Sequence, residues 1–176
     1  MADLKVKYPA ANADTVAITI TLTSLASSAA RTAGRQSTPV DNRTNLDLDH
    51  LVSGRVTLGT SPTPAGKSVE VWAFAPISIA AGTPTYPDAF STSDEDRSVL
   101  SQNARGNELR LLWVGVTDAT TDRVLYMPPT SIAGAFGGVV PPFWGIWVVH
   151  DSGVNLNATA GNHVFHYHRV QAQTTV

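Results

Sequence analysis

The chain has 176 residues, a formal net charge of −2, 15% charged residues and no cysteine. Its length suits one domain with a real core, and the missing cysteine excludes disulfides, thiolate catalysis and sulfur-ligated zinc. The near-neutral balance and dispersed arginines argue against a nucleic-acid partner, which calls for a basic face.

Residues 1–14 read as an extended N-terminal arm, polar, alanine-rich and interrupted by Pro9, with residues 15–176 as one domain. The opening "MADLKVKYPAANADT" has no apolar core of the signal-peptide kind. The most apolar run, "GGVVPPFWGIWVV", is broken by Gly and Pro and is shorter than the roughly 20 residues that span a bilayer. These features predict a soluble protein made in the cytoplasm, with no membrane partner.

"TVAITITL" alternates Val16, Ile18, Ile20 and Leu22 with Thr15, Ala17, Thr19 and Thr21, the period-two pattern of a half-buried strand. Residues 27–45 follow as a long irregular segment, a length associated with function or an interface. In "LDLDHLVSGRVTLG", Leu46, Leu48 and His50 alternate with Asp47, Asp49 and Leu51, and Ser53-Gly54 predicts a bulge or a change of face. "SVEVWAFA" is a strand. Residues 77–106 form a second insertion, with an acidic cluster at Asp94-Glu95-Asp96 and a weak helix cap at Ser93. These segments and the arm have too little apolar periodicity to hold themselves in place, so the core is expected to do without them.

"ELRLLWVGV" and "RVLYM" read as strands joined by a hairpin turn, "TDATTD". "PPFWGIWVVH" and "NHVFHYHRVQA" close the chain as strands. About eight strands with Gly/Pro-rich connections predict an all-β antiparallel β-sandwich. Without a Cys-Trp-Cys framework the expected type is a jelly roll.

"HVFHYH" concentrates three of the five histidines. Strand alternation puts His166 and His168 on one face and His163, Phe165 and Tyr167 on the other. An H-x-H pair on a strand is a metal-binding spacing, and His150 at the end of "GIWVVH" is the candidate third ligand if the two strands pair. The reading preferred here is a strand first, with no metal or cofactor. His163 is expected to satisfy backbone groups of the "NATAGNH" loop. Asp47 and Asp49 share a face as a carboxylate pair would, but are expected to be solvated charge rather than a catalytic pair. No G-x-S-x-G, P-loop, G-x-G-x-x-G or H-E-x-x-H occurs, so no enzyme activity is predicted. Interface candidates are Trp72 and Phe74, on the outward face of their strand, and Tyr8 and Pro9 in the arm.

Three segments together resemble a family of small structural proteins of tailed bacteriophages and prophages. They are "TITLTSLASSAARTAGRQSTPVDNRTNLDLDHLVSGRVTLGTSPTPAGKSVEVWAFA", "TPTYPDAF" and "GGVVPPFWGIWVVHDSGVNLNATAGNHVFHY", most of the chain. The similarity is one of overall pattern and carries no catalytic motif. It implies a capsid cement or decoration protein, a jelly-roll module on the virion surface. The implied partners are the major capsid protein of the phage head and further copies of the chain, as a dimer or trimer. The competing expectation is a carbohydrate-binding or tail-associated β-sandwich that serves host adsorption, with Trp72 and Phe74 as its sugar platform.

Overall fold

The computed structural model describes residues 3–8, 15–87 and 90–175. Strand β1 (Asp3–Lys7) is followed by β2 (Thr15–Ala17), β3 (Ala33–Gln36), β4 (Val40–Asp41), β5 (Asp49–Thr57) and β6 (Ser68–Phe74). Next come β7 (Ser78–Ala80), β8 (Thr83–Thr85), β9 (Glu95–Ser98), helix α1 (Gln102–Glu108) and β10 (Arg110–Val116). The chain ends with β11 (Val124–Ser131), α2 (Ile132–Ala135), β12 (Phe143–His150) and β13 (Val164–Thr175). Pro9 lies outside the described residues.

The fold is an all-β sandwich of antiparallel strands. One sheet runs β1-β13-β5-β11, with β2 also on β13; the other runs β10-β6-β12-β3-β9, with β4 also on β12. Their facing sides enclose the main core. It is built from Val52, Val56 and Phe165 of the first sheet and Val69, Val71, Trp144, Ile146 and Val148 of the second. Period two supplies it: along β6, Val69, Val71 and Ala73 point inward, leaving Glu70, Trp72 and Phe74 to the opposite face. Ile18 and Leu22 are buried as their alternation predicts, although the ladder of β2 stops at Ala17.

The outward face of the second sheet is covered too. Phe74, Trp147 and Val149 pack with Tyr86, Phe90, Val99 and Leu109 into a second core. The Phe90 ring stacks on Phe74 at 4.7 Å, and Tyr86 meets Phe74 edge-on at 5.5 Å. The middle insertion is therefore a third layer, contrary to the expectation that the core dispenses with residues 77–106. Few apolar residues suffice, because polar side chains pin the segment. The buried Gln36 amide donates to the carbonyls of Ser91 (3.0 Å) and Ser93 (2.6 Å) and accepts from the Ser91 N–H (3.1 Å). Arg35 holds Asp94 (2.7 Å) and Asp96 (3.1 Å). Residues 27–45 likewise contribute β3 and β4 rather than a free loop. The acidic cluster leads into β9, and the helix begins later, capped by Ser101 accepting from the Ala104 N–H.

Three further details differ from the sequence reading. β12 and β13 lie in different sheets, as do β10 and β11, so "TDATTD" crosses between sheets instead of closing a hairpin. Leu46 and Leu48 are exposed, whereas Asp47 and His50 are buried, because β5 starts only at Asp49. The bulge sits across from Ser53-Gly54 on β11, where Pro128-Pro129 lies between the pairs Met127–Gly54 and Thr130–Val52.

Gly54 itself keeps its inward register, and the Phe165 ring occupies the space of its missing side chain. A Cβ there would stand 2.4 Å from Phe165 Cδ1 and 2.6 Å from the Val164 carbonyl oxygen. Gly54→Ala is accordingly expected to destabilise the fold by about 1–3 kcal/mol through overpacking. Urea unfolding measures it; a midpoint equal to wild type would show that the ring has room to move.

Candidate interaction surface

With the second sheet covered on both faces over β6 and β12, the outward face of the first sheet is the larger open one. Phe165 and Tyr167 are buried, so alternation turns His166 and His168 outward. Tyr126 is 69% exposed between buried Leu125 and Met127. Ser53, Gly54, Arg55, Tyr126, Met127, Val164 and His166 line a shallow groove of about 440 Å³. Arg55 is oriented by its bond to the Gly161 carbonyl (3.0 Å). A guanidinium, a phenol and an imidazole over an apolar floor suit contact with another surface.

β13 continues beyond the sandwich. Its pairing with β5 ends at Val170, while Gln171–Thr175 pair only with β1, from Lys7↔Gln171 to Asp3↔Thr175. The product is a two-stranded ribbon with Lys5 and Lys7 on one face and Val6 and Tyr8 on the other. Val6 is 65% and Tyr8 60% exposed, and Ala172 and Gln173 are exposed as well. An isolated ribbon of this size is marginal in water.

His150 is not brought to His166 and His168. His150 ends β12 in the second sheet, and its Nε2 donates to the Leu25 carbonyl (3.1 Å) while Nδ1 meets the Ser152 hydroxyl (2.8 Å). His168 contacts the Thr15 hydroxyl at 3.1 Å. His163 donates from Nε2 to the Asn157 carbonyl (2.9 Å) and accepts the Thr57 N–H at Nδ1 (3.3 Å), the backbone role expected of it. Among the described residues, no group of three His, Asp or Glu side chains is placed to hold a metal.

Asp47 and Asp49 are not solvated charge. The Asp47 side chain is fully buried and accepts from Arg169 (2.8 and 3.2 Å), His50 Nε2 (2.9 Å) and Gln171 (2.7 Å). Burial alone would raise the Asp47 pKa; the bonds from Arg169, His50 and Gln171 outweigh it and hold it below the usual value. Asp49 accepts from the Ser131 hydroxyl (2.6 Å) and the Ala133 N–H (2.8 Å), fixing the entry to α2. Both carboxylates have structural roles.

No family model, curated protein or solved structure matches the chain.

Two of the interface candidates are covered. Phe74 is fully buried in the second core. Trp72 is partly buried, donates its indole N–H to Glu70 (2.9 Å) and carries the Arg105 guanidinium 5.0 Å from its ring centroid. Arg105 and Arg31 in turn hold Glu70 at 3.2 and 2.8 Å. This occupied ring offers no free platform. Tyr8 alone of the described candidates remains exposed. The sequence reading passed over Tyr126 and Arg55, although the alternation of "RVLYM" and "SGRVT" already turns both away from the core.

Proposed function

We propose that the chain is a non-enzymatic virion protein that binds the capsid surface of a phage head and stabilises the shell, a cement or decoration module of the jelly-roll kind. The sequence resemblance supports the role. The observation that carries it is the β1–β13 ribbon, exposed on both faces and unpaired along its outer edges among the described strands. Such a ribbon can extend a neighbour's sheet, gaining main-chain hydrogen bonds while Val6 and Tyr8 bury apolar area. The major capsid protein is the proposed partner, met by the ribbon and the groove beside it.

Removing residues 1–8 tests this. None of the described side chains in that stretch is buried. The melting temperature should therefore move by no more than about 3 °C, while occupancy on reconstituted particles should fall at least about tenfold. Wild-type occupancy would refute the ribbon mechanism, and a particle map with no copy on the head shell would refute the role. The sugar-platform reading loses its aromatic pair, because Trp72 and Phe74 are both covered.

A further inference from the structure

Open sheet edges invite pairing, and proteins blunt them with charge, proline or brevity. Three outer strands here are blunted. β1 carries Lys5 and Lys7, β9 is four residues long with Glu95, Asp96 and Arg97, and β11 has Pro128-Pro129, which lack amide donors, inside its bulge. β10 differs. It ends the second sheet with seven residues, and Leu111 (48%), Val114 (42%) and Val116 (60%) are all exposed. Its bulge between Leu111 and Trp113 lies at the N-terminal end, leaving Trp113–Val116 in regular pairing with β6.

We infer that β10 is the seam of a two-fold dimer of this chain, pairing antiparallel with β10 of a second copy. Charge complementarity selects a second copy as the occupant. Arg110 opens the strand and Asp118 follows its end, so antiparallel self-pairing brings each Arg110 toward the partner's Asp118. Arg110 is exposed, with its guanidinium on the carbonyls of Asn107 and Leu109; the Asp118 side chain is 46% exposed and lies 3.5 Å from Arg123, an exposed pair that a partner's Arg110 would join. A two-fold axis at Gly115 sets Val114 opposite the partner's Val116 twice, covering the exposed aliphatics as cross-strand pairs. The two six-stranded sheets then become one continuous sheet. This inference does not depend on the capsid role, since it concerns the free protein.

Sedimentation equilibrium of the full chain tests it. A dimer is expected at about 10 µM, with Val114→Lys/Val116→Lys weakening self-association at least about a hundredfold. Both side chains are already exposed, so an unchanged circular dichroism spectrum would confirm that the variant folds. Arg110→Glu and Asp118→Arg should each weaken the dimer, and their combination should restore it. A wild-type monomer at about 100 µM, or a dimer indifferent to the two lysines, would overturn the seam. Failure of the charge swap to rescue would overturn the antiparallel arrangement.

Discussion

Arg169→Met is expected to destabilise the protein by about 3–5 kcal/mol, the cost of leaving a buried carboxylate without its counter-charge. Arg169 grips both Asp47 oxygens, with Nε at 2.8 Å and Nη2 at 3.2 Å, and the Asp47 side chain has no exposure of its own. His50 and Gln171 still donate in the variant, but as neutral groups they cannot replace the guanidinium charge. Arg169→Lys should recover only part of the loss, because an ammonium offers no planar fork. Adding Asp47→Asn to Arg169→Met should recover more than lysine does, since it removes the orphaned charge itself. Urea unfolding of the four proteins decides the matter. A cost of about 1 kcal/mol or less for Arg169→Met would place the pair with exposed ion pairs and refute this account of the buried carboxylate.

Acid is expected to weaken the fold well before the carboxylates titrate. His50 accepts the Trp144 indole N–H at Nδ1 (2.8 Å), and that donor cannot reverse. The ring proton therefore sits on Nε2, facing Asp47, and a second proton would have to displace Trp144. Burial lowers the His50 pKa against the pull of Asp47, and burial likewise lowers those of His150 and His163. The sign follows from linkage. With folded values below the ordinary 6.5, the unfolded chain takes up protons first as pH falls. Stability is thus fully present above about pH 6.5 and declines from there toward the lowered folded values. The fully buried His50 and His150 each contribute a slope of up to about 1.4 kcal/mol per pH unit. Asp47, held below its usual value, adds its own loss only at lower pH, as pH falls from about 4 through that value. Urea midpoints from pH 7.5 to 4.5 check this, and His50→Gln should be less stable at pH 7.5 yet flatter across the range. A wild-type profile flat between pH 7 and 5 would sink the idea.

Much of the fold was legible locally. Alternation in "TVAITITL", "SVEVWAFA" and "HVFHYH" assigned the inward residues correctly, because a strand has two faces and period two sorts them without reference to a partner. All four tryptophans lie in expected strands, Trp72 in β6, Trp113 in β10, and Trp144 and Trp147 in β12. The errors came where a face is buried by something distant. Phe74 and Trp72 do face away from the main core, but residues 77–109 return to cover them. Asp47 looks like surface charge until Arg169, 122 positions later, meets it.

The sequence by itself determined the long core strands, their inward faces and the all-β class, but not the short strands β1, β3, β4 and β7 to β9, since only the former show a side-chain period within a few residues. Tertiary structure alone decided which strands share a sheet, and with that the fate of the histidines. His150 went to the second sheet with β12, and His166 and His168 to the outward face of the first with β13. It also decided which surfaces stay open: the outward face of the first sheet, the β1–β13 ribbon and the β10 edge. The physical reason is that hydrogen-bond pairing and burial join residues a hundred or more positions apart, and no local pattern encodes which partner arrives.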